Sequence, residues 1–175
     1  RVLDLDLKRC LADVPRCHYT LANATGLYDE QRMATLAELW VLQARQAQKA
    51  ATLPGQRTHA EVQAWLEAAR HAWAYLFFTD RKPSARAFED RQLQVRDYYN
   101  YAVQEAVTGL FELTRQSTQG VPADIGPWTL STDFSGVWLP ANKDMPYEVM
   151  PATSLRFSGL RNQYRRDGFG AELVA

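Results

Sequence analysis

The residues best suited to chemistry near the start of the chain are its two cysteines, Cys10 and Cys17, which lie seven positions apart. The intervening Val14-Pro15 favours a turn that could bring them together as a disulfide, of the kind found in exported proteins. Two unpaired buried thiols are an equal alternative. A metal site is the least favoured interpretation, because His18 alone does not complete a ligand set.

The three histidines and the serines do not form a catalytic set. His59 and His71 are twelve positions apart on one predicted helix, whereas a helical zinc site uses a pair at i and i+4. We therefore interpret both of them, and His18, as surface or hydrogen-bonded structural residues. Ser135 and Ser158 each precede a glycine but lack the earlier glycine of a G-x-S-x-G nucleophile elbow, so we interpret them as turn serines.

The sequence predicts no cofactor site and no carboxylate site. Gly168-Phe169-Gly170 lacks the third glycine and the preceding strand of a dinucleotide fingerprint, and no phosphate loop occurs. The charged run Arg161, Arg165, Arg166 and Asp167 is typical of a salt-bridged surface turn rather than an anion site. Because no pair of carboxylates stands out from solvated surface, we assign no catalytic, cofactor-binding or metal-binding residue.

Aromatic side chains are the remaining candidates for binding. They cluster on two predicted helices and include Trp65, Trp73, Phe77, Tyr98 and Tyr99. We interpret them first as a helix–helix core with tyrosine hydroxyls at its edge. The alternative is an apolar groove for a lipid or an acyl chain. A continuous exposed aromatic surface would favour the alternative.

Three long helices are predicted to carry these residues. Thr58 and Glu61 fit a capping box at the start of the second helix, and Ser84 is the expected N-cap of the third, whose apolar stripe starts at Phe88. Short connections favour antiparallel neighbours, and the lack of a period of roughly 34 residues argues against tetratricopeptide repeats. The three segments with an apolar period near 3.6 are about 29–51, 58–78 and 85–116.

The chain after Gly120 is rich in proline and glycine, which excludes a long helix there. The predicted fold is mainly α: a three-helix antiparallel array in a helical domain, 1–117, followed by a small Pro-rich β or irregular lobe, 118–175. The candidate strands of the lobe are Trp128–Ser131, Gly136–Leu139, Ser154–Phe157 and the last segment, about 171–175.

Charge and hydropathy exclude some function classes. The 20 basic and 20 acidic residues balance, which argues against nucleic-acid binding. No stretch approaches the roughly 20 apolar residues of a membrane span. The chain starts without Met and stops in an apolar run, so we expect it to be a processed or truncated piece whose lobe continues into a further domain.

Two strings resemble a known family. The string Leu155–Ala175, with its Gly159-Leu160-Arg161-Asn162 and Gly168-Phe169-Gly170-Ala171, resembles a segment of certain exported bacterial α/β-hydrolase-like proteins. In those proteins a helical N-terminal region leads through this stretch into the hydrolase core. The string Arg96–Ala102 is similar to a Tyr-Asn-x-Ala element in the helical part of the same proteins.

The resemblance implies an exported or lipid-anchored serine hydrolase of the esterase or lipase class, located in the periplasm or at the outer membrane. The nucleophile elbow is absent from this sequence, so no catalytic residue is carried over. The chain is then expected to cover or hold a following catalytic domain, or to be one chain of a two-chain enzyme. The alternative is a non-enzymatic helical module of a periplasmic lipoprotein that binds a protein or a lipid.

Overall fold

The chain folds into a mainly helical structure, as the sequence predicts. The computed structural model describes residues 6–51, 53, 56–116, 124–131, 133, 135, 136, 138, 139, 141, 146, 148–154 and 168–174. Its helices are α1 (Leu7–Ala12), α2 (Val14–Ala22), α3 (Asp29–Ala50), α4 (His59–Phe77) and α5 (Asp90–Gln116). Two short 3-10 helices are Pro83–Arg86 and Ala152–Ser154.

Helices α3, α4 and α5 pack side by side around two core clusters. Each cluster joins one end of α4 to the opposite ends of α3 and α5. Helix α4 therefore runs antiparallel to both neighbours. The first cluster includes Ala37, Leu76 and Val95. The second includes Ala44, Trp65 and Ala106.

Two short helices precede α3, where the sequence predicts a turn. Asp6 caps α1 by accepting the backbone N–H of Lys8 at 3.0 Å, and Asp13 caps α2 by accepting that of Arg16 at 3.2 Å. Pro15 lies in the first turn of α2, where its missing N–H costs no helical hydrogen bond. The chain bends at Asp13, one residue before the predicted turn, and Val14-Pro15 themselves begin α2.

Helix α2 is held against α3 by apolar and polar contacts. Val14 and Leu21 are buried in a cluster with Leu39 of α3. The Arg32 guanidinium on α3 donates to the backbone carbonyl of Leu21 at 3.1 Å and to that of Ala22 at 2.6 Å. These carbonyls are at the C-terminal end of α2, where no further helical turn supplies donors. Arg32 binds both of them, and the backbone N–H of Ala24 also donates to the Leu21 carbonyl at 3.4 Å.

The predicted start of the third long helix is wrong. Ser84 lies inside a 3-10 turn rather than at an N-cap, α5 begins only at Asp90, and Phe88 is 99% exposed. The reason is the fully buried Arg86, whose guanidinium stacks 4.3 Å from the Tyr75 ring and donates to the Tyr75 carbonyl at 3.0 Å. This tertiary contact holds a tight turn before α5, where helix propensity alone would start the helix earlier.

The lobe contains four two-residue strands in two antiparallel pairs. The strands β1 (Asp124–Ile125) and β2 (Trp128–Thr129) pair across a tight turn, in which Gly126 has a φ of 58° that favours glycine. The strands β3 (Met150–Pro151) and β4 (Leu173–Val174) pair with each other. The predicted strands at 128–131 and 171–175 thus contain β2 and β4.

The other two strand predictions have different outcomes. The described residues of Gly136–Leu139 form no strand, which corrects that prediction. Within Ser154–Phe157, Ser154 belongs to a 3-10 helix and the remainder lies outside the described residues. A proline or glycine every few residues leaves little backbone that can join a strand ladder.

The β1–β2 hairpin is anchored to the helices by one apolar and one polar contact. Ile125 is 1% exposed and packs in a cluster with Val62 of α4 and Leu113 of α5. The Trp128 indole N–H donates to a Glu67 carboxylate oxygen at 3.0 Å. Burial of an isoleucine contributes about 1.5–3 kcal/mol, so the hairpin is a fixed part of the helical surface.

Candidate functional site

Asn100 on α5 binds the segment that precedes β4. Its side-chain N–H donates to the backbone carbonyl of Gly168 at 3.0 Å, and its side-chain oxygen accepts the backbone N–H of Gly170 at 2.7 Å. We call this arrangement the Asn100 clamp. It joins residues about 70 positions apart in the chain, and an amide can make both bonds because it carries a donor and an acceptor.

An exposed group of aromatic rings lies beside the clamp. The Phe169 ring packs edge-on against Phe77 of α4 with ring centroids 5.1 Å apart, and Trp73 lies 4.5 Å from Phe78. The exposed fractions are 43% for Trp73 and Phe77, 70% for Phe78 and 49% for Phe169. We call these four side chains the aromatic patch. Contiguous exposed apolar surface of this kind is typical of an interaction site.

The structure does not bring the five predicted groove residues to one surface. Trp65 is fully buried in the core, with its ring edge-on to Tyr101 at 5.2 Å. Trp73 and Phe77 lie in the aromatic patch. The remaining pair, Tyr98 and Tyr99, is partly buried against the core clusters. The interpretation as a helix–helix core therefore holds for Trp65. Trp73 and Phe77 are instead exposed at the surface.

Two histidines that are distant in sequence meet where α2 packs on the long helices. The rings of His18 and His71 are 5.0 Å apart, edge to face, and the Trp40 indole N–H donates to His18 Nδ1 at 2.9 Å. Both rings are thus structural residues with tertiary contacts, although the sequence gives no signal that they pair. His59, the third histidine, is exposed at the first residue of α4.

Burial controls the protonation of this histidine pair. Desolvation, followed by the charges of Arg70 and His18, lowers the pKa of His71 to about 3. Desolvation also lowers the pKa of His18, while the nearby Glu67 carboxylate raises it and Arg70 lowers it. Both rings are therefore neutral at pH 7, and His18 Nδ1 is free to accept the Trp40 hydrogen bond.

A carboxylate pair exists that the sequence analysis missed. Arg57 Nη1 donates both to Glu61 Oε1 and, at 2.8 Å, to Glu105 Oε2. Burial opposes the charge on Arg57, but the hydrogen bonds that it donates to Glu105 and Glu61 outweigh this effect and raise the pKa of the guanidinium overall. Glu105 is on another helix from Glu61, so only the packing of α4 against α5 brings the two together.

The capping box predicted at this point is half correct. Thr58 accepts the backbone N–H of Glu61 at 3.1 Å, as an N-cap should. The Glu61 carboxylate binds Arg57 and the Trp65 indole rather than completing the box, so it is drawn into the core. A glutamate expected at a helix surface is therefore fully buried.

Cys10 and Cys17 form a disulfide that ties α1 to α2. Their Cα atoms are 5.3 Å apart, and Cys10 is buried in the cluster that joins these helices to α3. The bridge therefore restrains the part of the fold that has the shortest helices.

Removing this disulfide is expected to lower the free energy of unfolding by about 2 kcal/mol, because the closed loop is short and restrains the unfolded chain only modestly. The measurement is urea unfolding of the Cys10→Ala/Cys17→Ala double variant against the wild type. Reduction of the wild type with dithiothreitol should produce a similar loss. Native protein whose two thiols react with a thiol reagent without reductant would contradict the bridge.

The two predicted turn serines and the predicted charged run have different outcomes. Ser135 lies in a turn, where its backbone N–H donates to Asp133 at 2.8 Å, and these hydrogen bonds lower the pKa of Asp133. Ser158 and the charged run Arg161–Asp167 lie outside the described residues.

The fold and these contacts define a mainly α protein with a clamped C-terminal segment and an exposed aromatic patch. None of the helices in the described part of the chain has the length and apolar character needed to cross a bilayer. No protein-family model matches the chain, and no curated protein and no solved structure matches it.

Proposed function

We propose that this chain is the helical accessory region of an exported serine hydrolase of the esterase or lipase class, and that it holds the segment leading into the catalytic domain. The catalytic elbow is not in this chain. The Asn100 clamp carries the proposal, because it connects the two strings on which the resemblance to exported hydrolases rests. Asn100 belongs to Arg96–Ala102, and Gly168 and Gly170 belong to Leu155–Ala175.

Three further contacts support this role. Phe169 packs on Phe77, so the same segment is held by an apolar contact as well as by the clamp. The strand β4, which follows directly, pairs with β3 and fixes the direction of the chain. The Cys10–Cys17 disulfide is of the kind that persists in oxidising compartments, which supports a periplasmic or outer-membrane location.

The test of the class uses esterase assays. The 175-residue chain alone should not hydrolyse p-nitrophenyl butyrate. The natural polypeptide that contains it should do so, and should be labelled by a fluorophosphonate at a serine beyond residue 175. Turnover by the purified chain that titrates with the same inhibitor would contradict the placement of the catalytic elbow outside this chain. A natural polypeptide with neither turnover nor labelling would contradict the serine hydrolase class.

The test of the clamp uses Asn100→Ala. Loss of both hydrogen bonds should speed hydrogen exchange at the Gly170 amide by roughly tenfold or more, since each bond contributes about 0.5–1.5 kcal/mol. The thermal midpoint of the helices should change little. Gln94→Ala is the matched control, because Gln94 is an exposed amide on the same helix. It donates to the Tyr98 hydroxyl and accepts from Arg91, so both of these contacts are local to α5. Equal exchange in both variants would contradict the clamp.

A second function has its own support in the aromatic patch. A non-enzymatic helical module of a periplasmic lipoprotein would use Trp73, Phe77, Phe78 and Phe169 to bind a protein or a lipid, and these rings are exposed. Co-sedimentation with phosphatidylethanolamine–phosphatidylglycerol vesicles separates the two functions. Binding that is lost in Phe78→Ser, together with an absence of esterase activity in the natural polypeptide, would favour this module.

A further inference from the structure

We propose that Cys17 is a site of reversible thiolation by a small anionic thiol, which opens the Cys10–Cys17 bridge. The site is a cavity at the junction of α1 and α2, and the proposal does not depend on the hydrolase class. The cavity has a volume of about 510 Å³, within the usual range for small-molecule sites. Its lining residues are Arg9, Ala12, Asp13, Arg16, Cys17 and Thr20.

The two sulfurs of the bridge differ in their access to solvent. Cys10 is 3% exposed and is packed among apolar residues that include Val14 and Leu39. Cys17 is only partly buried and lines the cavity. The rate of thiol–disulfide exchange depends on which sulfur the attacking thiolate can reach. Cys17 Sγ is therefore the sulfur that is attacked, and Cys10 Sγ is the leaving group.

The charge of the lining favours an anionic thiol over a neutral or cationic one. Two guanidinium groups, those of Arg9 and Arg16, face one carboxylate, that of Asp13, which leaves one formal positive charge. Arg9 lies 3.8 Å from Asp6, but its side chain is 88% exposed, so this pair is weak. Within the part of the chain that the structure describes, the Arg16 side chain has no ion pair. Arg16 is therefore the cation available to the carboxylate of an attacking thiol.

The exchange step needs no reactant other than the thiol. The thiolate sulfur bonds to Cys17 Sγ, and the bond between Cys17 and Cys10 breaks. Cys10 Sγ leaves with the electron pair of that bond and takes up a proton from water, since its apolar surroundings favour the neutral thiol. The small thiol is oxidised to a mixed disulfide as Cys10 is reduced. Attack by Cys10 in the reverse direction restores the bridge, so the modification is reversible.

Thiolation also changes the fold, because it releases α1. This helix has six residues, which is too short for a helix that is stable alone. The Cys10 amide donates to the Asp6 carbonyl at 3.0 Å, and the Asp13 amide donates to the Arg9 carbonyl at 3.2 Å. Without the bridge, we expect both amides to exchange hydrogen about tenfold faster or more, while the amides of α3, α4 and α5 keep their protection.

The test is the rate at which three thiols of similar size open the bridge at pH 7 and low ionic strength. Mercaptopropionate is anionic, mercaptoethanol is neutral and cysteamine is cationic. Each rate is divided by the rate of the same thiol with uncharged dipyridyl disulfide, which removes differences in intrinsic reactivity. The relative rate of mercaptopropionate should be about fivefold that of mercaptoethanol, because one charge near a guanidinium has roughly this effect in water, and cysteamine should be slowest. High salt should remove these differences.

The products identify the sulfur that is attacked. After the reaction is quenched with N-ethylmaleimide, peptide mapping by mass spectrometry should find the mercaptopropionate adduct on Cys17 and the maleimide on Cys10. The opening rate should rise in proportion to the thiol concentration, since the thiol attacks the folded chain.

Arginine variants test the role of charge. Arg16→Gln should remove most of the advantage of mercaptopropionate and keep the fold, because the side chain has no ion pair among the described residues. Arg9→Gln is a second variant that removes one charge from the same lining. Arg45→Gln is the matched control, since Arg45 is exposed on α3 and its guanidinium lies 5.9 Å from the centre of the Tyr101 ring.

Four results would each overturn the proposal. The three thiols have equal relative rates, or the adduct lies on Cys10. The advantage of mercaptopropionate survives in both Arg16→Gln and Arg9→Gln. The opening rate does not depend on the thiol concentration, in which case the bridge is reached only when the chain unfolds.

Discussion

Replacing Trp65 with alanine is expected to lower the free energy of unfolding by about 3–5 kcal/mol. Trp65 is fully buried and packs in the cluster that joins α3, α4 and α5. The substitution leaves a large cavity and removes the edge-on contact with Tyr101. It also removes the indole N–H that Glu61 Oε1 accepts, inside a region that already holds an unsatisfied oxygen. The measurement is urea unfolding followed by far-ultraviolet circular dichroism.

Trp73→Ala is the matched control for this substitution. Trp73 is on the same helix, but 43% of it is exposed, and its ring contacts lie in the aromatic patch rather than the core. We expect a loss of about 1 kcal/mol, because only part of the ring leaves a buried environment. Equal losses for the two variants would show that α4 presents the same degree of burial at both positions, contrary to the packing of the three long helices.

The sequence predicts the long helices well because their signals are local and mutually consistent. Thr58 is an N-cap followed directly by a run of apolar residues with the period of a helix, and α4 begins one residue later, at His59. The run of prolines and glycines after Gly120 likewise excludes a long helix by backbone chemistry alone. Where propensity, capping and periodicity agree, tertiary contacts have little to change.

The errors occur where a tertiary contact decides the local structure. Helices α1 and α2 are shorter than an isolated helix that is stable in water, so their sequence carries a weak signal. They persist because Arg32 caps α2, and because Leu21 is buried against α3. The late start of α5 has a similar cause, since burial of the Arg86 side chain holds a 3-10 turn that no propensity scale predicts.

The candidate sites were the least predictable part, because each joins residues that are far apart in the chain. Asn100 binds a glycine 68 residues later, and Arg57 binds a glutamate 48 residues later. A short motif cannot encode such pairs. The resemblance to exported hydrolases did single out both sides of the Asn100 clamp, but as two separate strings, and only the fold shows that they meet.

Acid is expected to destabilise the protein through His71. The pKa of His71 is about 3 in the folded chain and about 6.5 in the unfolded chain, so between these values only the unfolded state takes up the proton. The contribution of His71 to stability is therefore complete above pH 6.5 and is lost as the pH falls toward 3. Integrated from pH 7 to pH 4, the loss is about 3 kcal/mol. Its physical cause is the burial of the ring against His18, next to the charge of Arg70.

The measurement is the difference in the free energy of unfolding between pH 7 and pH 4, compared between the wild type and His71→Gln. The difference should be smaller in His71→Gln by about 3 kcal/mol, even though the variant is less stable at pH 7, because glutamine cannot take up the proton. Carboxylates titrate over the same range in both proteins, so the comparison removes their contribution. His59→Gln, at the exposed first residue of α4, should keep the wild-type pH dependence. If His71→Gln keeps it as well, the histidine pair is accessible to water, and α2 does not seal the site against α3 and α4.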